Sequence, residues 1–438
     1  MKKALSVFLM AAMAFGAFAD EPVADVKVAE FSGNAAVTWG INLDSGKTGF
    51  KNTSRVDLKL NMLNNGTKST TGDGVWGELV IKTDGDTYLQ WRNDNYQYDG
   101  SFGPSLGMAG TYTDGGHGFF FKKVYVDTAK IHVGPAYIGI KNGNTTVGQL
   151  KLDTAVRAEK AWLGDVGSSK SDGIVVGVDT DVVKVDVDVR SKPAATQYTN
   201  DYGIAAEAEL KAVENLSVKA GVSYEFNAPN TLAYAASAGY KLGLGDNFYL
   251  RPQFGITGVK NADPTLAGSV LFGWGEVKDA NAGVYFVNED ADKKVIPGVS
   301  VAVLVPVKSN TVTIAPSFFS GEIIPGLTAA VDATITTASV EVFGVKTSTT
   351  GTVLDAGVKY AITADALTIT PQAGVAYNNK SIKFGDRSES TNNMKMMIGV
   401  DAAGLIDNTT LSAVWTSGEL LDGGVVAGTL DFTAKISL

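Results

Sequence analysis

Along most of this chain, apolar and polar residues alternate one by one. Near the C-terminus Val426, Gly428, Leu430, Phe432, Ala434, Ile436 and Leu438 fall on one face, and Ala427, Thr429, Asp431, Thr433, Lys435 and Ser437 on the other. Successive side chains of a β-strand point to opposite sides, so this is a strand with one oily and one wet face. A hairpin repeats the pattern. Ile204, Ala206, Ala208 and Leu210 oppose Ala205, Glu207, Glu209 and Lys211; after a turn at Ala212 to Asn215, Leu216, Val218, Ala220, Val222, Tyr224 and Phe226 oppose Ser217, Lys219, Gly221, Ser223 and Glu225. Helical spacing is nearly absent; Thr154 to Leu163, with a short helix around Arg157 to Leu163, is the main exception.

A soluble β-sandwich also alternates, with its oily face inward. Three features favour a membrane wall instead. The clean segments run about 9–11 residues, the length a tilted strand needs to cross. Many polar faces carry charges of both signs, which suits a wet lumen. Aromatics mark strand ends: Tyr224 with Phe226, Tyr240, Phe248 with Tyr249, Tyr360, Tyr377 and Trp415. The pattern therefore predicts an all-β fold, a large antiparallel transmembrane β-barrel with about 18–24 strands, long outer loops and short periplasmic turns.

Connection lengths support this. Thr363 to Ala366, Gly243 to Asn247 and Ala403 to Thr409 read as short; Val345 to Gly351 is intermediate and Ser417 to Gly424 moderately long. Ser191 to Asp201, Asn288 to Gly298 and Asn378 to Asn393 read as long. The alternation fails in the N-terminal third, where Asn93 to Gly118 is Gly-rich and without a period, and Leu152 to Gly173 is irregular. Either a strand is hidden there or a loop folds into the lumen. The domain reading is thus a signal peptide at 1–19 and a barrel over 20–438, with 20–150 as a distinct N-terminal region in one version.

The chain's start reads as an export signal. Lys2 and Lys3 precede an uncharged apolar run from Ala4 to Phe18, and Ala17-Phe18-Ala19 is an A-x-A cleavage site that would make Asp20 the first mature residue. No later apolar stretch is long enough for a spanning helix. The expected location is the outer membrane. The exported chain has 0 Cys, so no disulfide supports it. The full sequence carries a net charge of −9, which argues against nucleic-acid binding.

Little in the sequence suggests catalysis. The 2 His residues are His117, in a Gly-rich stretch, and His132, beside an alternating strand. Zinc sites draw mainly on Cys and His, and no phosphate-binding loop is present, so no metal or cofactor is expected. Asp84-Gly85-Asp86 reads as a hairpin turn rather than a calcium loop. Asp290 and Asp292 read as solvated charges. What remains is a charged lumen. The pore-lining candidates are Arg55, Asp57, Lys59, Lys184, Asp186, Asp188, Arg190, Glu207, Glu209, Lys219, Asp355, Lys359, Asp431 and Lys435. Rows of mixed sign set an ion preference, unless neighbouring strands pair the charges into an inert wall.

The segment from Phe31 through Thr38-Trp39-Gly40, an acidic turn at Asp44, and Gly49-Phe50 to Asn52 resembles the N-terminal region of the spirochaete (treponemal) major outer sheath protein family, which includes the treponemal repeat proteins. That resemblance implies abundant outer-membrane proteins described as pore-forming and as adhesins for host matrix. It also implies a division into an N-terminal and a C-terminal barrel-forming region. It supplies no catalytic residue.

The expected function is a porin through which small hydrophilic solutes or ions diffuse. The alternative is a surface adhesin or outer-sheath structural protein that binds host matrix proteins through loops such as Asn93 to Gly118 and Asn378 to Asn393. A barrel enzyme has little to work with. The expected partners are outer-membrane lipid, the barrel-assembly machinery reading the C-terminal strand, host matrix in the adhesin version, and a homotrimer by analogy with porins, with no nucleic acid.

Overall fold

The computed structural model describes residues 29–437 apart from 47, 64–74, 85–122, 142–151, 157–171, 194–199, 227–231, 246, 280–293, 343–344 and 422–426. In chain order the strands are β1 (Ala29–Asn42), β2 (Thr48–Leu63), β3 (Val75–Asp84), β4 (Lys123–Val133), β5 (Ala136–Lys141), β6 (Asp172–Asp179), β7 (Val183–Pro193), β8 (Asn200–Leu210), β9 (Leu216–Glu225), β10 (Leu232–Tyr240), β11 (Leu242–Gly243) and β12 (Tyr249–Val259). They continue with β13 (Thr265–Gly273), β14 (Lys278–Asp279), β15 (Lys294–Val295), β16 (Gly298–Pro306), β17 (Thr311–Phe319), β18 (Leu327–Val342), β19 (Val345–Tyr360), β20 (Ile362–Ala364), β21 (Leu367–Phe384), β22 (Arg387–Ala403), β23 (Thr409–Thr416) and β24 (Thr429–Ser437). β14 and β15 form a small ribbon of their own. β11 and β20 are short continuations of β10 and β19, so the wall is a closed antiparallel barrel of 20 strands.

Each strand pairs with its neighbour in sequence, and β1 pairs with β24 from Asn34↔Ser437 to Asn42↔Thr429. That seam leaves no open edge. On its inner side the Thr38 and Thr433 hydroxyls hydrogen-bond at 2.8 Å. On its outer side Trp39 stacks on Phe432, ring centroids 5.7 Å apart. The Thr38-Trp39-Gly40 motif thus stitches the barrel shut.

The wall is inside-out relative to a soluble protein. Val270, Val299, Val301, Ile314, Ile398 and Phe432 are exposed on its outer face. Ser223, Gln253, Ser269, Ser300, Ser317, Asp355 and Gln372 are buried on its inner face. A sandwich core reverses this arrangement. Exposed apolar surface this extensive calls for a non-aqueous neighbour, and lipid is the one a closed barrel can accept.

Glycine and tyrosine share the pleat in register pairs. Tyr137↔Gly177, Tyr234↔Gly258 and Tyr249↔Gly273 lie directly across from each other. A Cβ on any of these glycines would collide with the partner tyrosine ring. The ring covers the bare backbone that glycine leaves, which protects its hydrogen bonds and pins register.

The near end of the barrel carries both termini. The turns Gly134–Pro135, Thr180–Val182 and Lys211–Asn215 lie there. Gly134–Pro135 resolves the broken alternation in the N-terminal third: β4 and β5 form a tight hairpin that the sequence reading missed. The connections 85–122 and 142–171 join strand ends at the far end. Asn93 to Gly118 and the helix expected at Arg157 to Leu163 lie outside the described residues, as do the export signal, His117, Asp290 and Asp292.

Two expected loops are strand instead. Asn378 to Asn393 belongs to β21 and β22, which pair from Thr368↔Ala403 to Phe384↔Arg387 around a two-residue Gly385–Asp386 turn. Val345 to Gly351 belongs to β19. These hairpins extend past the apolar band, where water on both sides removes the alternation but not the backbone pairing. Tyr249 also departs from expectation, facing inward against Gly273 rather than joining a girdle.

The wall's polarity has a measurable consequence. Phe432→Arg puts a charge in lipid and should lower barrel stability by about 2–4 kcal/mol. Thr433→Arg, one residue on and facing the lumen, should cost clearly less. Denaturant unfolding of the vesicle-inserted barrel measures both, and equal losses would contradict the facing.

Candidate functional site

The lumen is the one enclosed polar space of the described barrel, and its described contents divide into an inward segment and a charged wall. Residues 152–156 lie between β5 and β6 in sequence, yet they are buried against β12, β13 and β16. The Asp153 N–H donates to Gln253 Oε1 at 3.0 Å, and Gln253 Nε2 donates back to the Asp153 carbonyl at 3.0 Å. A backbone N–H only donates and a carbonyl only accepts, so this double bond fixes which way the Gln253 amide points. Gln253 Nε2 also reaches Ser269 Oγ at 2.8 Å, and the Ser269 hydroxyl donates to the same carbonyl at 3.4 Å. The Ala155 N–H donates to Ser300 Oγ at 2.9 Å, and Ser300 and Ser317 share a hydroxyl bond of 2.6 Å. Arg251 pairs with the Asp153 carboxylate.

Apolar contacts complete the seat. Ala155 and Val156 join Tyr249, Leu271, Val295, Ile296, Phe319 and Ala330 in one buried cluster. The Ile296 N–H donates to the Ala155 carbonyl at 2.7 Å. Ile296 precedes β16 at the near end, whereas the 142–171 connection enters from the far end. The segment therefore reaches well down the lumen. Each such hydrogen bond adds roughly 0.5–1.5 kcal/mol net, and stripping one partner from a buried pair costs about 1–3 kcal/mol.

The sequence-predicted charged residues with described side chains occupy alternate positions of their strands, out of phase with the exposed apolar ones. In β7 and β8 the register brings Lys184 opposite Glu209 and Asp186 opposite Glu207. Lys184 lies 3.7 Å from Asp186, and Lys219 of β9 bridges Glu209 at 3.1 Å. Asp188 is buried one rung further, opposite Ala205. In β19 Asp355 faces Asp332 of β18, both buried. Lys359 lies 3.9 Å from Asp401 of β22, and Gln372 donates to that carboxylate at 3.1 Å. Asp431 and Lys435 flank the seam opposite Gly40 and Ala36. Asp57 and Lys59 sit in register with Ser32 and Glu30 of β1. Arg55 and Arg190 hold register positions opposite Asn34 and Gly173, and their side chains lie outside the described ones.

The register thus pairs Lys219 with Glu209 and places Lys359 near Asp401, while Asp186, Asp188 and Glu207 form an acid-rich stretch. Sequence reading missed Arg251, Gln253, Ser269, Ser300 and Asp401. Only the irregularity of Leu152 to Gly173 hinted that something enters the lumen. His132 of β4 stacks on Trp76, ring centroids 3.8 Å apart, and tilts against Tyr137 at 5.2 Å. Among the described residues no group of three or more His, Asp or Glu is placed to hold a metal ion.

This chain is 28% identical to the major surface protein MspTL of Treponema lecithinolyticum, over 95% of this chain and 93% of that one. It is 26% identical to the major outer membrane protein MspA of Treponema maltophilum, over 98% and 96%. Its homologues are treponemal major surface proteins. No family model matches the chain. Among solved structures, OpdQ of Pseudomonas aeruginosa is similar at a TM-score of 0.43 and 9% identity, over 94% of this chain and 98% of that one. The trimer form of OmpT from Vibrio cholerae gives 0.35 and 10%, over 94% and 99%. The names of the two treponemal relatives place them at the cell surface and in the outer membrane, and neither names an enzyme activity.

The seat makes separable predictions. In Gln253→Ala, hydrogen exchange at the Asp153 amide should speed at least tenfold; in Ser300→Ala, the Ala155 amide should respond instead. Unchanged exchange in both would show that these contacts do not hold the segment.

Proposed function

We propose that this chain is an outer-membrane diffusion pore, without enzyme activity, that passes small hydrophilic solutes and favours cations. The observation that carries the reading is the inside-out closed wall. Barrels of 16 or more strands leave an aqueous channel, and this wall has 20. The near end, with both termini, faces the periplasm, and the far end faces outside, which sends the two long connections 85–122 and 142–171 outward.

The lumen's acids outnumber its bases along the described wall, so cations are drawn in and anions repelled. Asp186, Asp188 and Glu207 are the acids with the largest expected effect, since three carboxylates crowd two adjacent strands there with Lys184 beside Asp186. The segment 152–156 takes up lumen space and sets the upper size of a passing solute.

Single-channel recording of the refolded chain tests this reading. Stepwise currents that scale with salt are expected, with a reversal potential favouring cations. The Asp186→Asn, Asp188→Asn, Glu207→Gln triple variant should lose most of that preference while conductance falls less than twofold. A folded barrel that never conducts would overturn the pore.

One observation favours a second reading. β21 and β22 are among the longest strands and end in a polar hairpin, Asn378 to Asn393, at the far end. In that reading the barrel anchors an adhesin whose hairpins and loops bind host matrix. Shortening this hairpin would abolish matrix binding and leave conductance intact.

A further inference from the structure

The two rims of the barrel differ in chemistry. Three far-end turns are polar, Lys260 to Asp263, Lys308 to Asn310 and Gly385–Asp386, while Leu43 and Leu421 are the exposed aliphatics of the described far-end connections, at 41% and 48%. Near-end turns instead carry branched aliphatics in water-exposed positions. Ile323 is 67% exposed, Ile324 55%, Leu405 59% and Ile406 63%, with Leu244 and Ile362 above half. A tight turn has no structural need for such side chains; Asn and Gly serve there better.

Their placement follows the outer face. Outward positions along β19 run Val358 and Tyr360 and continue to Ile362 of β20. Along β10, outward Tyr240 is followed two and four residues on by Leu242 and Leu244. Beyond β22, whose outward residues include Ile398 and Val400, the turn carries Leu405 and Ile406 side by side. In the β12–β17 sector of this end an aromatic belt forms, with Phe248 to Phe272 at 5.8 Å, Phe272 to Trp274 at 6.1 Å and Trp274 to Phe318 at 6.3 Å. Aromatic belts mark the headgroup level. Here the apolar surface does not stop at the belt but continues past it into the turns.

We propose that the near-end rim is a lipid-binding surface, its turns seated in the headgroup and acyl boundary of the inner leaflet. Continuity with the lipid-facing wall selects lipid over a soluble partner. Two of the oily turns join a short strand to a long one: β17 has 9 residues beside β18 with 16, and β23 has 8 beside β22 with 17. At about 3.3 Å per residue and a tilt near 40°, the two short strands rise roughly 20–23 Å, less than an apolar band of ~25 Å. Sinking the turns extends the band. Three of these turns also keep a carboxylate, Glu322, Asp365 and Asp407, which stays in water while its aliphatic neighbour enters lipid. This inference rests on the wall facing lipid and not on conduction, so a non-conducting barrel would leave it standing.

The chain has 0 Cys, so single cysteines report without background. Ile324→Cys, Ile406→Cys and, at the opposite rim, Asn310→Cys are each labelled with the same environment-sensitive NBD dye. The full mature chain is folded into phosphatidylcholine vesicles, and heat-modifiable migration confirms the barrel. Labels at 324 and 406 should emit at shorter wavelength than at 310. Nitroxide-bearing phosphatidylcholine should quench them severalfold more, and iodide severalfold less. Equal iodide quenching at all three sites would overturn the proposal and leave the near rim in water, free for a soluble partner.

Discussion

Inside a bilayer no water is present to satisfy a peptide N–H or C=O, and each one left open costs several kcal/mol. A strand can meet that demand only through its neighbours, and a sheet only by having no edges. The β1–β24 seam is where this chain meets it. Nine register pairs from Asn34↔Ser437 to Asn42↔Thr429 join the two ends of the wall. Remove them and two open edges face lipid. Everything else follows from that closure: the apolar residues can face outward because no backbone needs shielding there, and the polar ones are left to line a lumen.

An inside-out wall also changes what holds the structure together. The described wall encloses no central oily core to collapse around. Register is held by backbone pairing, by tyrosines folded over glycines, and by polar bonds across the lumen. The small apolar cluster around Leu271 and Ile296 exists only where the segment 152–156 fills the lumen. That segment is tied by Gln253, Ser269 and Ser300, the same kinds of residue that elsewhere on the wall would simply meet water. The site and the scaffold are thus one set of inward-facing positions, and the narrowing of the lumen uses no chemistry foreign to the wall.

The alternation made the strands readable because each one touches two different solvents. Leu210 and Leu216 bound a hairpin in the structure much as the period implied. In β7 and β8, Lys184, Asp186, Asp188, Glu207 and Glu209 alternate with valine and alanine neighbours, of which Val187 and Val189 are exposed. The reading failed where the two-solvent condition fails. Asn378 to Asn393 has water on both sides, so a paired hairpin looked like a loop. Ala136 to Lys141 is a six-residue strand behind a two-residue turn, too short for its period to stand out. The inward segment was not legible because its partners, Gln253 and Ser300, lie 100 and 145 residues away from the groups they hold. Nothing in their own strands marks them.

The central claim is that one face of this wall meets water and the other lipid, around a closed seam. The most direct measurement is a cysteine scan of β24 in vesicles with a membrane-impermeant, water-soluble thiol reagent. Positions 431, 433 and 435 should react, while 432 and 434 should stay protected. Uniform reactivity, or the opposite alternation, would contradict the account.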